Sequence, residues 1–255
     1  MAKQKLMTSA AAAPWRGQMG VMAETKYKAV CRDRNGKVRW RARAHNLVVT
    51  TGLNKLLDAT FKTGLASPLW YIGMVGVSVS DGAMASTSSG VFTSASNPFV
   101  AGNVGAPIIV RGAGANGNDL STTIASYQSA GQVTLTANAG TVVTGARATW
   151  GPLAADTMAS HAPWPAVAAI SNATRPAFTP GVIAAGAVDN SGSPAVFTVN
   201  ADNTYSAGLF LTDNNTVGGA TGTLYGMAVW TSGGFRQSYN TDTVTVTCTL
   251  TMTAT

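Results

Sequence analysis

Apolar and polar residues alternate strictly in several short segments of this chain, most clearly in Thr243–Thr253. There the apolar side chains of Val244, Val246, Cys248, Leu250 and Met252 are separated by threonines. Successive side chains of a strand point to opposite faces, so this period of two predicts a half-buried antiparallel strand. Similar segments recur along the chain, separated by clusters of Gly, Asn, Asp and Ser that favour turns. The sequence therefore predicts an all-β fold, specifically an antiparallel β-sandwich.

One short helix is expected within this β fold. Its apolar residues follow the i, i+3, i+4, i+8 spacing of an amphipathic helix: Leu53, Leu56, Leu57 and Phe61. Thr50 or Thr51 precedes them and is the expected N-terminal cap. The pattern predicts that this apolar face is buried against the sheets.

The spacing and texture of the segments predict three parts. Residues 1–20 are Ala-rich with an interrupted apolar run, which indicates an N-terminal arm rather than a secretory signal. Residues 21–96 plus 152–255 are expected to form a discontinuous β-sandwich body, in which Asp81–Ser96 is a loop. Residues 97–151 contain shorter β segments separated by Gly, Ala and Asn, and we expect an inserted small β module there.

Charge is distributed unevenly along the chain. Only 11% of the residues are charged. Thirteen of the 17 Lys and Arg residues lie in the first 62 positions beside three acidic residues, whereas the remainder holds four arginines and seven aspartates. This asymmetry indicates that the first quarter of the chain meets an acidic partner. The nearly uncharged remainder suits packing against sister copies.

Many of these cations fall on a predicted hairpin, in which Lys26–Arg32 and Lys37–Arg43 are joined by a turn at residues 33–36. In the second strand, period two places the basic side chains on one face and Val38, Trp40 and Ala42 on the other. The predicted docking interface consists of Lys26, Lys28, Arg32, Arg34, Lys37, Arg39, Trp40, Arg41 and Arg43. A solvated outer face or a protected sheet edge is the alternative interpretation.

The sequence offers little for catalysis, and we expect neither an enzyme nor a cofactor or metal site. The glycines of Gly112–Gly117 match G-x-G-x-x-G, but a Thr-rich segment without helical period follows them, so the dinucleotide motif lacks its context. One histidine near scattered aspartates, His161, is a weak metal signal. Cys31 and Cys248 are interpreted as two buried thiols, with a disulfide left open.

Nucleic-acid binding is an alternative use of the same cations. Trp15, Tyr27 and Trp40 lie among them and offer rings on which bases stack. The chain carries no zinc-finger, helix-turn-helix or RNP-like signature. No apolar stretch approaches the ~20 residues of a membrane helix, so no membrane partner is expected.

Part of the predicted insertion resembles a β module that recurs in bacteriophage tail fibre and tailspike proteins. The resemblance rests on Gly102–Val110, Thr122–Ser126, Gln132–Leu135 and Ala148–Gly151. In that family the first segment usually reads D-V-G-K, and here Asn103 and Ala106 stand at the two charged positions.

The body resembles a second family, of small phage virion proteins. This resemblance rests on Asn46–Asn54, Trp70–Gly73, Asp156–His161, Ser171–Pro176 and Gly222–Gly226. Together the two resemblances imply a virion structural protein in the phage tail, a short tail fibre or a tail-attached accessory protein. Its expected partners are other virion proteins and sister copies in a homotrimer. A capsid decoration (cement) protein and a nucleic-acid-binding virion protein are the alternatives.

Overall fold

The computed structural model of the protein describes residues 21–45, 47–62, 68–161, 164–231 and 234–254. The predicted N-terminal arm, residues 1–20, lies outside the described residues. Strands account for 47% of the chain and helical residues for 8%, and all the strand pairs are antiparallel. The predicted all-β fold is confirmed.

An outer sheet of five strands is built around the two longest strands. Its strands are β1 (Val21–Arg32), β2 (Val38–His45), β12 (Ala187–Asp189), β13 (Ala195–Thr198) and β18 (Thr243–Ala254). They are arranged in the order β12-β18-β1-β2, and β13 also pairs with β18. Strands β1 and β18 pair along their whole length, from Val21 opposite Ala254 to Arg32 opposite Thr243. The two ends of the described chain are therefore neighbours in this sheet.

A middle sheet lies beneath the outer one. Its strands are β3 (Leu47–Val48), β4 (Trp70–Val75), β11 (Ala177–Phe178), β15 (Gly208–Thr212) and β16 (Leu224–Val229), in the order β11-β4-β15-β16-β3. Every residue of β15 is buried, and so is most of β4 and β16. A sheet covered on both faces needs continuous apolar segments rather than alternation, which is what these three strands have.

Six further strands close into a small barrel. They are β5 (Val79–Met84), β6 (Val91–Thr93), β7 (Pro107–Val110), β8 (Leu120–Ser129), β9 (Gln132–Leu135) and β10 (Val143–Trp150), in the order β10-β5-β6-β9-β8-β7. The predicted module boundary at residue 97 falls inside this barrel. Most of β5 and all of β6 lie in the segment predicted as a loop, Asp81–Ser96, because β5 is rich in small residues and β6 is only three residues long.

Two apolar cores separate three layers. The first core lies between the outer and middle sheets and includes Tyr27, Cys31, Leu209 and Trp230. The second lies between the middle sheet and the barrel and includes Phe210, Trp150 and Trp164 among others. A separate two-stranded ribbon pairs β14 (Thr204–Ser206) with β17 (Arg236–Ser238). Two 3-10 turns, Ala101–Asn103 and Ala115–Gly117, complete the barrel region.

The apolar spacing correctly predicted the position of α1 (Thr50–Phe61), the single α-helix of the described chain. It did not correctly predict how this helix packs. Its N-cap is Val49, which makes no side-chain capping bond, so the prediction of Thr50 or Thr51 as cap is wrong. The only buried helix residue is Gly52, which contacts the backbone of Tyr225. Glycine lets the helix approach β16 closely, and the predicted apolar face therefore points largely into solvent.

Candidate docking face

Strand alternation places basic side chains on the outer face of the outer sheet. In β1, Tyr27, Ala29 and Cys31 point into the first core, so the residues between them point outward. In β2 the basic residues are exposed while Ala42 and Ala44 are buried. We define the cationic face by the outward side chains Lys26, Lys28, Arg41 and Arg43. The predicted docking residues that share this face are these four.

Three cations of the cationic face surround one shallow depression. Lys28 lies directly opposite Arg43, and Arg41 lies opposite Val30 on the neighbouring strand. The backbone of Ala29 and Ala42 lines the depression between them. Within the described part of the chain, Lys28, Arg41 and Arg43 have neither a side-chain hydrogen bond nor an ion pair. Their charges are therefore available to an external anion.

Acidic residues lie at the margin of the cationic face and leave its centre positive. Glu24 contacts Lys26 Nζ at 3.0 Å and His45 Nε2 at 3.4 Å. Its hydrogen bond from Lys26, opposed by partial desolvation, lowers the pKa of the Glu24 carboxyl below its ordinary value. On the other side, Asp189 accepts the backbone N–H of Ser191 at 2.8 Å. Lys26 is thus partly neutralised by Glu24, and the charge of Lys28 is attracted by the Asp189 carboxylate without forming an ion pair with it.

Arg39 has a structural partner, which sets it apart from the other cations of its strand. Its Nε donates to Asp242 at 2.9 Å, and its guanidinium lies 4.7 Å from the ring centre of Tyr239. The Asp242 carboxylate is 1% exposed and also accepts the backbone N–H of Tyr239. Arg39 therefore compensates a buried negative charge, and a variant lacking it would lose more than a docking contact.

The remaining predicted docking residues lie away from the centre of the cationic face. Arg32 donates to Gly36 O at 2.9 Å, and Arg34 and Lys37 are exposed at the hairpin turn. Trp40 points to the opposite side of β2, where its Nε1 donates to Gln237 O at 3.0 Å and its ring packs 6.1 Å from that of Trp230.

The hairpin turn itself follows its sequence. Asp33 Oδ1 accepts the backbone N–H groups of Asn35 and Lys37, each at 2.9 Å. Gly36 has a φ of +80°, which favours glycine over other residues. The predicted hairpin is confirmed, and its turn holds the first two strands in the register that groups the cations.

A row of threonines lies beside the cations, and the sequence pattern did not predict that the two groups would be adjacent. The outward residues of β18 are Thr243, Thr245, Thr247, Thr249, Thr251 and Thr253. Thr247 lies opposite Lys28, and Thr249 lies opposite Lys26. Hydroxyl groups beside ammonium groups add hydrogen-bond donors for an acidic ligand. Period two predicted the row, but only the long-range pairing of β1 with β18 places it here.

The aromatic residues considered for base stacking do not supply rings to the cationic face. Tyr27 is 1% exposed and lies in the first core. Trp40 faces inward, as described above, and Trp15 lies outside the described residues. Among the described residues, the cationic face therefore consists of cations, hydroxyls and aliphatic groups.

A cleft of about 470 Å³ adjoins the cationic face at the junction of sandwich and barrel. His45 and Thr231 line both this cleft and a smaller depression beside Lys28 and Arg43. Its other walls are mainly apolar and include Pro107 and Leu153. The cleft extends the candidate surface from the outer sheet towards the barrel.

Both cysteines are free, buried thiols. Burial is the main reason that the pKa of Cys31 rises to about 11, and burial also raises the pKa of Cys248. Thiols that stay protonated at neutral pH are poor nucleophiles and poor metal ligands. The preferred interpretation of two separate thiols agrees with this arrangement.

The remaining polar candidates are engaged in local structure. Asp156 is 7% exposed and accepts the N–H of Leu153 at 2.9 Å. His161 stacks on Trp164 with ring centres 3.9 Å apart. The glycine loop uses its N–H groups internally, since Gly112 donates to Asp119 and Gly117 to Thr141. No cluster of three or more His, Cys, Asp or Glu suited to a metal occurs among the described residues.

None of the helices in the described ranges has the length and apolar character needed to span a membrane. Comparison of the chain with family models, curated proteins and solved structures finds no match.

Proposed function

We propose that this chain is a structural component of a phage virion that attaches through its cationic face to an acidic surface of another virion protein. The virion assignment rests on the two resemblances described for the sequence. The observation that carries the docking role is the group of three cations, Lys28, Arg41 and Arg43, around one depression; none of the three forms an ion pair or side-chain hydrogen bond with a described residue. Such charges steer an acidic partner and set its orientation.

A folded acidic protein suits this surface better than a nucleic acid. Single-stranded nucleic acids are bound by grooves with aromatic rings that stack on bases, and such rings are missing from the described cationic face. A sheet face with cations and a threonine row is instead complementary to carboxylates arranged on a flat partner. We place this protein in the tail, as a short fibre or attached accessory protein.

Self-association is the second part of the proposal, and it rests on a separate surface. We define the apolar patch by its exposed members: Leu53, Leu57, Phe61, Leu69, Val182, Ile183 and Met252. Two of these residues, Ile183 and Met252, line a small apolar cavity together with Leu56 and Trp70, among others. Phe61 alone is 78% exposed. Monomeric soluble proteins rarely expose apolar patches of more than a few hundred Å².

The size of the apolar patch supports a sister copy as its partner. At roughly 150–200 Å² for each fully exposed large side chain, and with exposed fractions between 42% and 89%, the seven residues present on the order of 800 Å². A standard interface buries about 800 Å² on each partner. The helix also carries its own Asp58–Lys62 ion pair, at 2.6 Å, which leaves little charge to select a different protein. We propose a homotrimer assembled through this surface.

The docking proposal is tested with the triple variant Lys28→Gln, Arg41→Gln, Arg43→Gln. Arg39 is left intact because it compensates the buried Asp242. We expect the variant to fold normally but to bind particles lacking the native protein at least about tenfold more weakly at low salt. Wild-type attachment should weaken as salt rises, because exposed charges are screened within ~8–10 Å.

The matched control removes three other exposed or half-exposed cations: Arg34→Gln, Lys37→Gln and Lys55→Gln. It changes the net charge equally and should bind particles like wild type. Normal incorporation of the Lys28, Arg41, Arg43 variant would contradict the docking proposal. A DNA mobility shift that this variant abolishes would assign the cationic face to nucleic acid instead.

Self-association is tested separately with Leu57→Glu and Phe61→Glu. Light scattering should show an oligomer for the wild type and a monomer for either variant. A wild-type monomer at micromolar concentration would contradict this part of the proposal.

A further inference from the structure

Two arginines with no acidic partner meet at the end of the barrel. Arg111 directly follows β7, and its N–H donates to Arg147 O in β10 at 2.8 Å. Val110 pairs with Ala148, so Arg111 and Arg147 are the next opposite pair on these antiparallel strands. Directly opposite side chains share a face and have Cβ atoms about 4.5–5.5 Å apart. The two positive charges are therefore held close together by the backbone.

Both guanidinium groups stack on the same ring. The Cζ atoms of Arg111 and Arg147 lie 4.7 and 4.1 Å from the ring centre of Tyr205 in β14. The two Cζ atoms are therefore no farther apart than the sum of these two distances. Stacking restrains each flat guanidinium without using its N–H donors.

Neither guanidinium has a hydrogen bond or an ion pair with a described residue. Like charges directly opposite on neighbouring strands destabilise a sheet. Arg175 shows how this chain treats an arginine with a purely structural role. It is 2% exposed, and its guanidinium donates to the carbonyl oxygens of Asn214 and Gly219. Arg111 and Arg147, half-buried, lack such acceptors.

An acidic group beside this junction, Asp119, is already engaged. Asp119 accepts the N–H of Gly112 with Oδ1 and that of Phe235 with Oδ2, both at 2.9 Å. Its negative charge also acts on Arg236 of the neighbouring ribbon. Four basic residues follow Lys62 in the sequence, and three of them, Arg111, Arg147 and Arg236, lie at this junction with the carboxylate of Asp119. This clustering occurs although residues 63–255 contain more acidic than basic side chains.

We propose that Arg111 and Arg147, organised by Tyr205, form a binding site for a doubly charged tetrahedral oxyanion, that is, a phosphate or phosphate monoester group. Each guanidinium offers a planar pair of N–H donors that matches two oxygens of such a group. The bound anion would also relieve the repulsion between the two arginines. This site is separate from the cationic face and does not depend on the docking proposal.

The test measures binding of inorganic phosphate to the full chain by calorimetry and by thermal unfolding. Sodium chloride at the same ionic strength is the reference. We expect saturable binding and a rise in melting temperature with the wild type. Arg147→Gln and Arg111→Gln should each weaken binding at least about tenfold. Arg34→Gln, which removes one exposed cation at the hairpin turn, is the matched control and should bind like wild type.

Arg147→Lys keeps the charge but removes the planar donor pair, so weakened binding by this folded variant would identify the guanidinium geometry as the cause. A parallel titration with glucose 6-phosphate distinguishes a phosphate monoester from free phosphate as the ligand. Tighter binding than inorganic phosphate assigns a phosphate monoester, and equal or weaker binding assigns the free ion. The proposal is overturned if the wild type shows no effect beyond sodium chloride, or if Arg147→Gln and Arg111→Gln both bind phosphate like wild type.

Discussion

Replacing Gly73 by alanine is a direct test of how the middle sheet is packed. Gly73 lies in β4 opposite Phe210 in β15, and both residues are buried. The ring of Phe210 occupies the position that a Cβ at residue 73 would take. The ring itself is confined, because Trp164 lies 5.2 Å away between ring centres and the Arg175 guanidinium lies 5.0 Å away. Alanine at 73 therefore has no room without displacement of Phe210.

Overpacking of a dense core costs about 1–3 kcal/mol, and the confinement of Phe210 favours the upper end of that range. For a chain of this size, 1 kcal/mol corresponds to roughly 2–4 °C in melting temperature. We therefore expect Gly73→Ala to lower the free energy of unfolding by about 3 kcal/mol and the melting temperature by roughly 6–12 °C.

Urea unfolding followed by tryptophan fluorescence provides the measurement. Gly102→Ala is the matched control, since a Cβ there meets no atom within 4 Å and Gly102 is exposed. The control should stay within about 0.5 kcal/mol of wild type. In the double variant with Phe210→Ala, the alanine at 73 should cost much less than in the wild-type background, because the ring is gone. Equal stability of Gly73→Ala and Gly102→Ala, or additive effects in the double variant, would refute this packing.

Three further predictions concern titratable groups. Cys31, with a pKa of about 11, and Cys248 should resist a thiol reagent at pH 8 in the native state and both react in urea; rapid native labelling would contradict their burial. Burial raises the pKa of Asp156, so its ionised form destabilises the fold above that pKa. Asp156→Asn should therefore increase the melting temperature at pH 7 relative to wild type, with the difference shrinking towards pH 4. Hydrogen bonds from Ser94 and Ser96 lower the pKa of Asp81, so its contribution is present above the unfolded pKa of ~3.9 and is lost as pH falls through the lower folded pKa. Asp81→Asn should accordingly be less stable at pH 7 and converge with wild type in acid.

Local patterns predicted much of the strand content. The hairpin at the start of the described chain follows from alternation and from a turn that ends in Gly36, and the last strand follows from its threonines. These signals lie within a few residues of each other, so no distant contact was needed to recognise them.

The elements that failed depend on distant contacts. Strand Val79–Met84 is composed largely of small residues and strand Val91–Thr93 is only three residues long, and both pair with distant segments when the barrel closes. Helix Thr50–Phe61 was expected to bury its leucines, yet the approach of Gly52 to β16 turns Leu57 and Phe61 outward. Helix periodicity identifies an apolar face but not which surface covers it.

The candidate docking face was predicted only in part, because some of its contacts also join residues that are far apart in the sequence. Period two correctly separated Trp40 from the cations of its strand. It could not show that Arg39 would be held by Asp242, about 200 positions later, or that Lys28 would lie beside Thr247. Arg111 and Arg147 are only two of the four arginines counted after residue 62 in the sequence, because no local pattern predicts the barrel register that brings them together.

The middle sheet separates the molecule into two different sides. Because it is buried on both sides, the cations and the barrel lie on opposite sides of one continuous wall of backbone. If the basic side rests on a particle, as proposed, the barrel and its arginine pair lie on the side turned away from that particle. Attachment would then decide which half of the protein meets the surroundings, with no hinge or moving part.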